Sequence, residues 1–456
     1  MDRQFSKYLD RYGANKKWRP VLGAVGGVKN IVVIPVLAES RHLFKTLASL
    51  SLNDRCAIDK TLVLCVVNNS SAAVTPKDYI DDNRRTLDIL NGIVRKNICR
   101  GRDKDIDSIG DNGLSVGYID ASSPGYELSD RDGGVGLARK IGHDASLTLF
   151  DYRGTRPNLF FSLDADTIVD RTYLATVRKY FERKRTTVAA IAFSHQKGET
   201  AAEQDGICWY ETFIRYYVLG LHHARSPYGY HAIGSTIVCT ADGYVSVRGM
   251  NRRKAGEDFY FLNKLAKMTD VRIINETRVY PSSRTSLRVP FGTGKSVARY
   301  GGGRSGEYPV YDPQVFQILK QWLECMRQNG EQDEKTLLMN AHNIHPSLET
   351  YLISNGFEKV WPKLKKNSNS ERALAKHAMH WFDGLKTFKL IRYLSRHEFP
   401  PTAMYPSLRN LLTMMDIDWP LSKDIGAVPA RKDRDALLDF LRTLSGLKDR
   451  YDRRYR

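Results

Sequence analysis

The sequence has no apolar run long enough to cross a bilayer. Its longest runs, residues 31–38 and 187–193, are of strand length, whereas a spanning helix needs about 20 apolar residues. The opening stretch, MDRQFSKYLDRYGANKKWRP, contains no apolar core of a secretory signal, so a cytoplasmic location is expected. Cysteine is scarce: Cys56, Cys65, Cys99, Cys208, Cys239 and Cys325 are scattered without C-x-x-C spacing. That excludes a sequence-readable zinc site or disulfide framework and fits reduced thiols. No internal repeat is visible either. What the chain has in excess is positive charge, 70 Lys and Arg against 51 Asp and Glu, a formal net charge of +19. Such a balance calls for an anionic partner, whether nucleotide, phosphorylated acceptor, lipid surface or nucleic acid, without choosing among them.

At 456 residues the chain exceeds one ordinary core, and two or three domains are expected. Residues 1–29, polar, basic and glycine-bearing, read as an arm. Residues 30–36 (NIVVIPV) read as a buried strand that ends in Leu37, Ala38, Glu39 and Ser40, with Ser40 placed to cap a helix. Residues 60–67 read as a second strand, ended by Asn68, Asn69, Ser70 and Ser71. Thr75, Pro76 and Asp78 start a helix expected to run to about Ile98. Residues 100–113 read as an exposed charged loop and 114–119 as a short strand. Gly133, Gly134, Val135 and Gly136 then open a helix carrying Ala138, Arg139, Lys140 and Gly142. A dinucleotide fingerprint would need glycine where Arg139 stands, so a Rossmann NAD site is rejected. Arg139 and Lys140 instead set two cations on a helix aimed at the sheet edge.

The chemical centre of the sequence is residues 158–170, NLFFSLDADTIVD. An apolar strand buried on both faces ends abruptly in Asp164 and Asp166, separated by Ala165. Ligands of open α/β sheets sit at the carboxyl ends of their strands. Carboxylates there are hard donors suited to Mg²⁺ or Mn²⁺ with a diphosphate. The bland alternative is a strand end followed by a helix cap.

Further on, Trp209, Tyr210, Phe213, Tyr216 and Tyr217 lie on one helix and read as core more readily than as a sugar platform. Glu257 and Asp258 open another helix, where one acid can serve chemistry and the other the scaffold. Residues 282–306 contain Arg284, Arg288, Lys295, Arg299 and Arg304 among glycines, with no acid before Gly306. They read as a mobile cationic loop clamping phosphates through Arg284 or Arg288, or as a solvated basic linker. Residues 309–456 read as a helical region. In it Leu374, Ala378, Trp381, Phe382, Leu385, Phe388 and Ile391 form an apolar stripe flanked by cations, a face for docking on a core or for lying on an anionic membrane.

In order along the chain, IPVLAES, VVNNSS, GVGLARKIG, LDADT and GEDFYFL resemble the strand-end motifs of the GT-A nucleotide-sugar glycosyltransferases, most closely the family 2 group. The resemblance covers roughly residues 30–290 and implies a mostly parallel α/β sheet flanked by helices, a catalytic domain over 30–308. It implies that Glu39 lies near the nucleoside, that Asn68 or Asn69 faces the base, and that Arg139 belongs to the donor side. Asp164 would sit near ribose and metal, Asp166 would bind Mn²⁺ or Mg²⁺ directly, and Asp258 would be the general base. Lys140 departs from the family pattern, where Asn is usual.

The expected function is therefore a metal-dependent, inverting transfer of a sugar from a nucleoside diphosphate sugar to a hydroxyl of a saccharide, a lipid-linked acceptor or a small molecule. The alternatives are a retaining transferase or sugar nucleotidyltransferase of the same fold, and, in a different class, a polyanion- or membrane-binding protein without catalysis. Peripheral contact with the inner face of an anionic membrane stays open, and nucleic acid is not the expected partner.

Overall fold

The computed structural model describes residues 3–14, 16–97, 101, 103–285, 293–301, 309–328, 330–421 and 428–444. It divides into two compact units, one of Met1–Gly198 with Ala232–Lys295 and one of Glu199–His231 with Ser296–Arg456.

The first unit is built on a nine-stranded sheet: β1 (Pro20–Leu22), β2 (Asn30–Val36), β3 (Thr61–Asn68), β4 (Ser115–Ala121), β5 (Leu159–Ser162), β6 (Ile168–Val169), β7 (Val188–Phe193), β8 (Ile237–Thr240) and β9 (Arg272–Tyr280). Their order is β1-β4-β3-β2-β5-β8-β7-β9-β6. Strands β4, β3, β2 and β5 run parallel, and β7 parallels β9. β8 reverses direction between β5 and β7, and β1 and β6 are antiparallel edges. β2, β3 and β5 are almost wholly buried, as expected for parallel strands covered by helices. The helix Val135–Ser146 lies close on them: a Cβ at Gly142 would stand 2.4 Å from Val33 Cγ1. Parallel direction sends the carboxyl ends of β2, β3, β4 and β5 to one edge, and that edge carries the polar residues singled out above.

Four expectations change. Residues 1–29 are more than an arm: they form a helix, Arg3–Tyr12, that buries Phe5 and Tyr8, and β1 pairs with β4. The loop expected over 100–113 contains a helix, Lys104–Asp111. Asp103 caps its N-terminus by accepting from the amides of Asp105 and Ile106, and Ile109 is buried. The helix begun near Pro76 ends at Val94 rather than near Ile98. Within residues 282–306, Thr293–Gly301 is helical, and Arg288 and Arg304 lie outside the described residues.

Among its described residues the second unit consists of helices and a two-stranded pairing of Pro309–Val310 with Thr402–Ala403. It takes more of the chain than 309–456, because Trp209 and Tyr216 of the helix Ala201–His223 share a core with Phe316, Trp322 and Tyr405. The apolar stripe docks in the same core, with Leu374, Ala378, Phe382 and Ile391 buried. Among the described residues no helix is long and apolar enough to cross a membrane.

Candidate active site

Two arginines gather the acids at the sheet edge. Ala38, just beyond β2, adopts a left-handed backbone with φ 51°. That costly conformation is held by a hydrogen bond from its amide to Asn83 Oδ1 at 2.9 Å. It turns the chain so that Glu39 precedes the helix Ser40–Ser51 as its N-cap. Two residues after the end of β5, the turn carrying Asp164 and Asp166 is pinned from outside. Thr46 Oγ1 donates to the Ala165 carbonyl at 2.9 Å, and Gln196 Nε2 to the Asp166 carbonyl at 2.9 Å. Ser235 Oγ donates to Asp164 Oδ2 and itself accepts from Thr167 Oγ1 at 3.0 Å.

Arg284 binds across this edge. Its Nε and Nη2 donate to Asp166 Oδ2 at 3.1 and 2.8 Å, and Nη2 also donates to Glu39 Oε1. The second bridge is Arg139, 2% exposed, whose Nη1 donates to Glu257 and Nη2 to Asp164. A buried guanidinium needs paired carboxylates, and its fork geometry reaches two at once. Room for it comes from Gly234, where a Cβ would stand 2.2 Å from Arg139 Nη2. Glu257 is buried, and burial pushes its carboxyl up while Arg139 pulls it down. Asp258, next on the helix Glu257–Ala266, is pushed up to about 7 by desolvation and by the neighbouring Glu257 charge. A carboxylate tuned to that range can hold or release a proton near neutrality.

Glu39, Asp166 and Arg284 thus form one cluster, and Asp164, Arg139 and Glu257 another, joined through the Asp164–Asp166 turn. Asn68 and Asn69 stand at the end of β3 with their amides turned onto backbone: Asn68 Nδ2 donates to Val36 O at 2.9 Å, and Asn69 Nδ2 to Ser70 O at 2.8 Å. Asn83 ties them together, donating to Asn68 O at 3.1 Å and Asn69 Oδ1 at 2.8 Å.

Several participants carried no sequence signal. Asn83 and Ser235 are ordinary polar residues in their segments, and only their contacts distinguish them. The two cations of the Val135–Ser146 helix are both buried, but Lys140 turns away from Arg139. It forms a buried pair with Asp144 at 3.0 Å and donates to Tyr8 Oη at 2.8 Å. Asp144 further accepts from Tyr8, Tyr244 and the Ala14 amide at 2.8, 2.7 and 2.8 Å. His143 is held neutral by burial, its pKa pushed down to about 3, and its Nδ1 lies 2.7 Å from the Arg139 carbonyl. The N-terminal helix is thereby part of the scaffold behind Arg139.

Among the described residues no group of three or more His, Cys, Asp or Glu is gathered as a metal site. The donor chemistry at the Asp164–Asp166 turn nonetheless suits a hard divalent cation, since Asp166 and Glu39 present carboxylate oxygens to one shared cationic group, Arg284.

No protein-family model and no curated protein matches the chain. Among solved structures, TarS 1-349 of S. aureus is similar at 12% identity and a TM-score of 0.36, with 94% of this chain and 93% of that chain covered. The same TarS segment in complex with UDP-GlcNAc has a TM-score of 0.35 at 12% identity, covering 81% of this chain and 92% of that chain. The mannosyltransferase PcManGT of Pyrobaculum calidifontis, in complex with GDP-Man and Mn²⁺, has 15% identity and a TM-score of 0.33, covering 83% of this chain and 92% of that chain.

Proposed function

We propose that the chain is a GT-A glycosyltransferase that moves a sugar from a nucleoside diphosphate donor to a hydroxyl acceptor with inversion. The observation that carries the reading is the double arginine bridge, which brings Glu39, the Asp164–Asp166 turn and Glu257 from three distant segments to the edge of one mostly parallel sheet where its parallel strands end.

In this reading Asp166, supported by Asp164, would hold Mn²⁺ or Mg²⁺, which when bound supplies positive charge against the diphosphate. Arg284 offers its guanidinium to the same phosphates, a charge-assisted contact aimed at the charge that develops as the diphosphate departs. Glu39 and the β3 end, with Asn68 and Asn69, wall the nucleoside side. Arg139 holds Glu257 and Asp164 in fixed relation and so sets the distance between donor and acceptor sides. Asp258 takes the acceptor proton, and its raised pKa keeps the carboxylate a useful base near neutral pH.

The test is thermal stability with a panel of nucleoside diphosphates and their sugars, each with and without Mn²⁺. A ligand at 100 times its Kd adds about 2.7 kcal/mol to native stability. Stabilisation by one nucleoside diphosphate that requires the metal supports the reading. No stabilisation by any member rejects it. Product analysis then separates a transferase, which releases nucleoside diphosphate, from a nucleotidyltransferase, which releases pyrophosphate.

A further inference from the structure

Between Asp242 and Glu257 the chain carries Arg248, Arg252, Arg253 and Lys254 and no acid. Arg252, Arg253 and Lys254 are exposed, and among the described residues none of the three forms an ion pair. The field of Lys254 reaches Asp130, but the hydrogen bonds of that carboxylate go to Ser71. Arg253 is held in place by stacking 3.8 Å from the centre of the Tyr260 ring, a contact that orders the guanidinium without neutralising it.

The backbone beneath these cations is fixed. Gly136 N donates to the Arg253 carbonyl at 3.2 Å. A Cβ at Gly136 would stand 2.5 Å from that oxygen and 2.7 Å from the Asn251 carbonyl, and one at Gly134 would stand 2.7 Å from Lys254 Cα. The two glycines therefore let residues 251–254 lie directly on the start of the helix that carries Arg139. The segment then runs into Glu257 and Asp258. Cations that form no ion pair among the described residues, set beside the proposed base, are a costly arrangement, since like charges repel and the field of Asp130 offsets Lys254 only in part.

We propose that residues 252–254 bind an anionic group of the acceptor, so that the substrate is a saccharide or polyol bearing a phosphate or carboxylate near the accepting hydroxyl. The inference rests on the transferase reading above and adds the acceptor class to it. In the transfer the acceptor oxygen bonds to the anomeric carbon as the bond to the diphosphate breaks. Its proton passes to Asp258, and the diphosphate leaves with the electron pair. Arg253 and Lys254 hold the acceptor anion during this exchange and keep its charge away from the departing diphosphate.

The experiment compares cellobiose, cellobiose 6-phosphate and cellobiouronic acid as acceptors, with the donor identified by the stability panel. The expected result is a kcat/KM for at least one anionic acceptor on the order of tenfold or more above cellobiose. That advantage shrinks as salt is raised, because the cations are exposed. The phosphate and uronate arms tell the two anions apart. In Arg253→Gln, Lys254→Gln and the double variant, the ratio of anionic to neutral acceptor should fall toward one. Equal use of all three acceptors overturns the inference, and so does a preference that survives the double variant. If no donor yields nucleoside diphosphate, the transferase reading is what has failed. Calorimetry with cellobiose 6-phosphate and cellobiose then still decides the loop: tighter binding of the phosphate that is lost in the double variant supports it, and equal binding overturns it.

Discussion

Arg284 and Asp166 are joined by two hydrogen bonds onto the same oxygen, from Nε at 3.1 Å and from Nη2 at 2.8 Å. The carboxylate singled out as a metal ligand is thus already engaged by a cation, and a divalent ion binding there has to displace it. Arg284→Gln removes the competitor while retaining a polar side chain. Calorimetry with Mn²⁺ alone should show tighter binding to this variant than to the native chain, whereas nucleoside diphosphate with Mn²⁺ should bind more weakly. Unchanged metal affinity would remove Asp166 from the list of ligands.

Asp166→Ala should lower the melting temperature little, because Arg284 keeps Glu39 as an ion-pair partner. Donor binding that depends on Mn²⁺ should disappear. Equally tight donor binding by the variant in the presence of Mn²⁺ would contradict the assignment.

Asp258→Asn keeps the shape of the side chain and removes the proton acceptor. Turnover should fall by about 10²- to 10⁴-fold while donor affinity is retained. A product that keeps the anomeric configuration of the donor would move the enzyme to the retaining class.

The pKa of Asp258, raised to about 7, gives two pH dependences of opposite sense. As a base it must be ionised, so kcat/KM should climb as pH passes through about 7. For stability the sign reverses. The folded chain binds this proton more tightly than the unfolded chain, whose Asp titrates near 4. The associated stabilisation is complete below about pH 4 and is lost as pH rises through about 7. Chemical denaturation of the native chain and of Asp258→Asn across that interval measures the difference, which should be absent from the variant.

Arg139→Met leaves Glu257 buried without its counter-charge, and breaking a buried pair costs about 3–5 kcal/mol. Replacing Glu257 by Gln in the same chain should recover part of that loss. Gly234→Ala should mimic the single variant, because its Cβ would collide with the guanidinium. A Gly234→Ala chain as stable as the native one would show that Arg139 has another resting place.

Much of the architecture was legible in the sequence because it depends on local pattern. Apolar runs at 30–36, 60–67 and 159–163 needed only their own side chains to announce buried strands, and the polar residues after each marked the sheet edge. The helix Lys104–Asp111 was missed because its signal, an Asp cap and two isoleucines, is faint amid charge. The aromatics of the helix Ala201–His223 read as core and lie in one, but which core was not legible, because an aromatic face does not say which surface it will meet.

The sequence by itself determined which residue types stand at the strand ends, since a buried parallel strand must stop where polar groups can reach water, and that alone located Glu39, Asn68, Asp164 and Asp166. Only the tertiary structure decided how those acids are neutralised. A charge in a low-dielectric edge must find a counter-charge, and the partner can come from any segment the fold brings near. Arg139 reaches Asp164 and Glu257, and Arg284 reaches Glu39 and Asp166, across separations no local pattern records. Lys140, adjacent to Arg139 in sequence, faces a different carboxylate altogether, because successive side chains on a helix point about 100° apart.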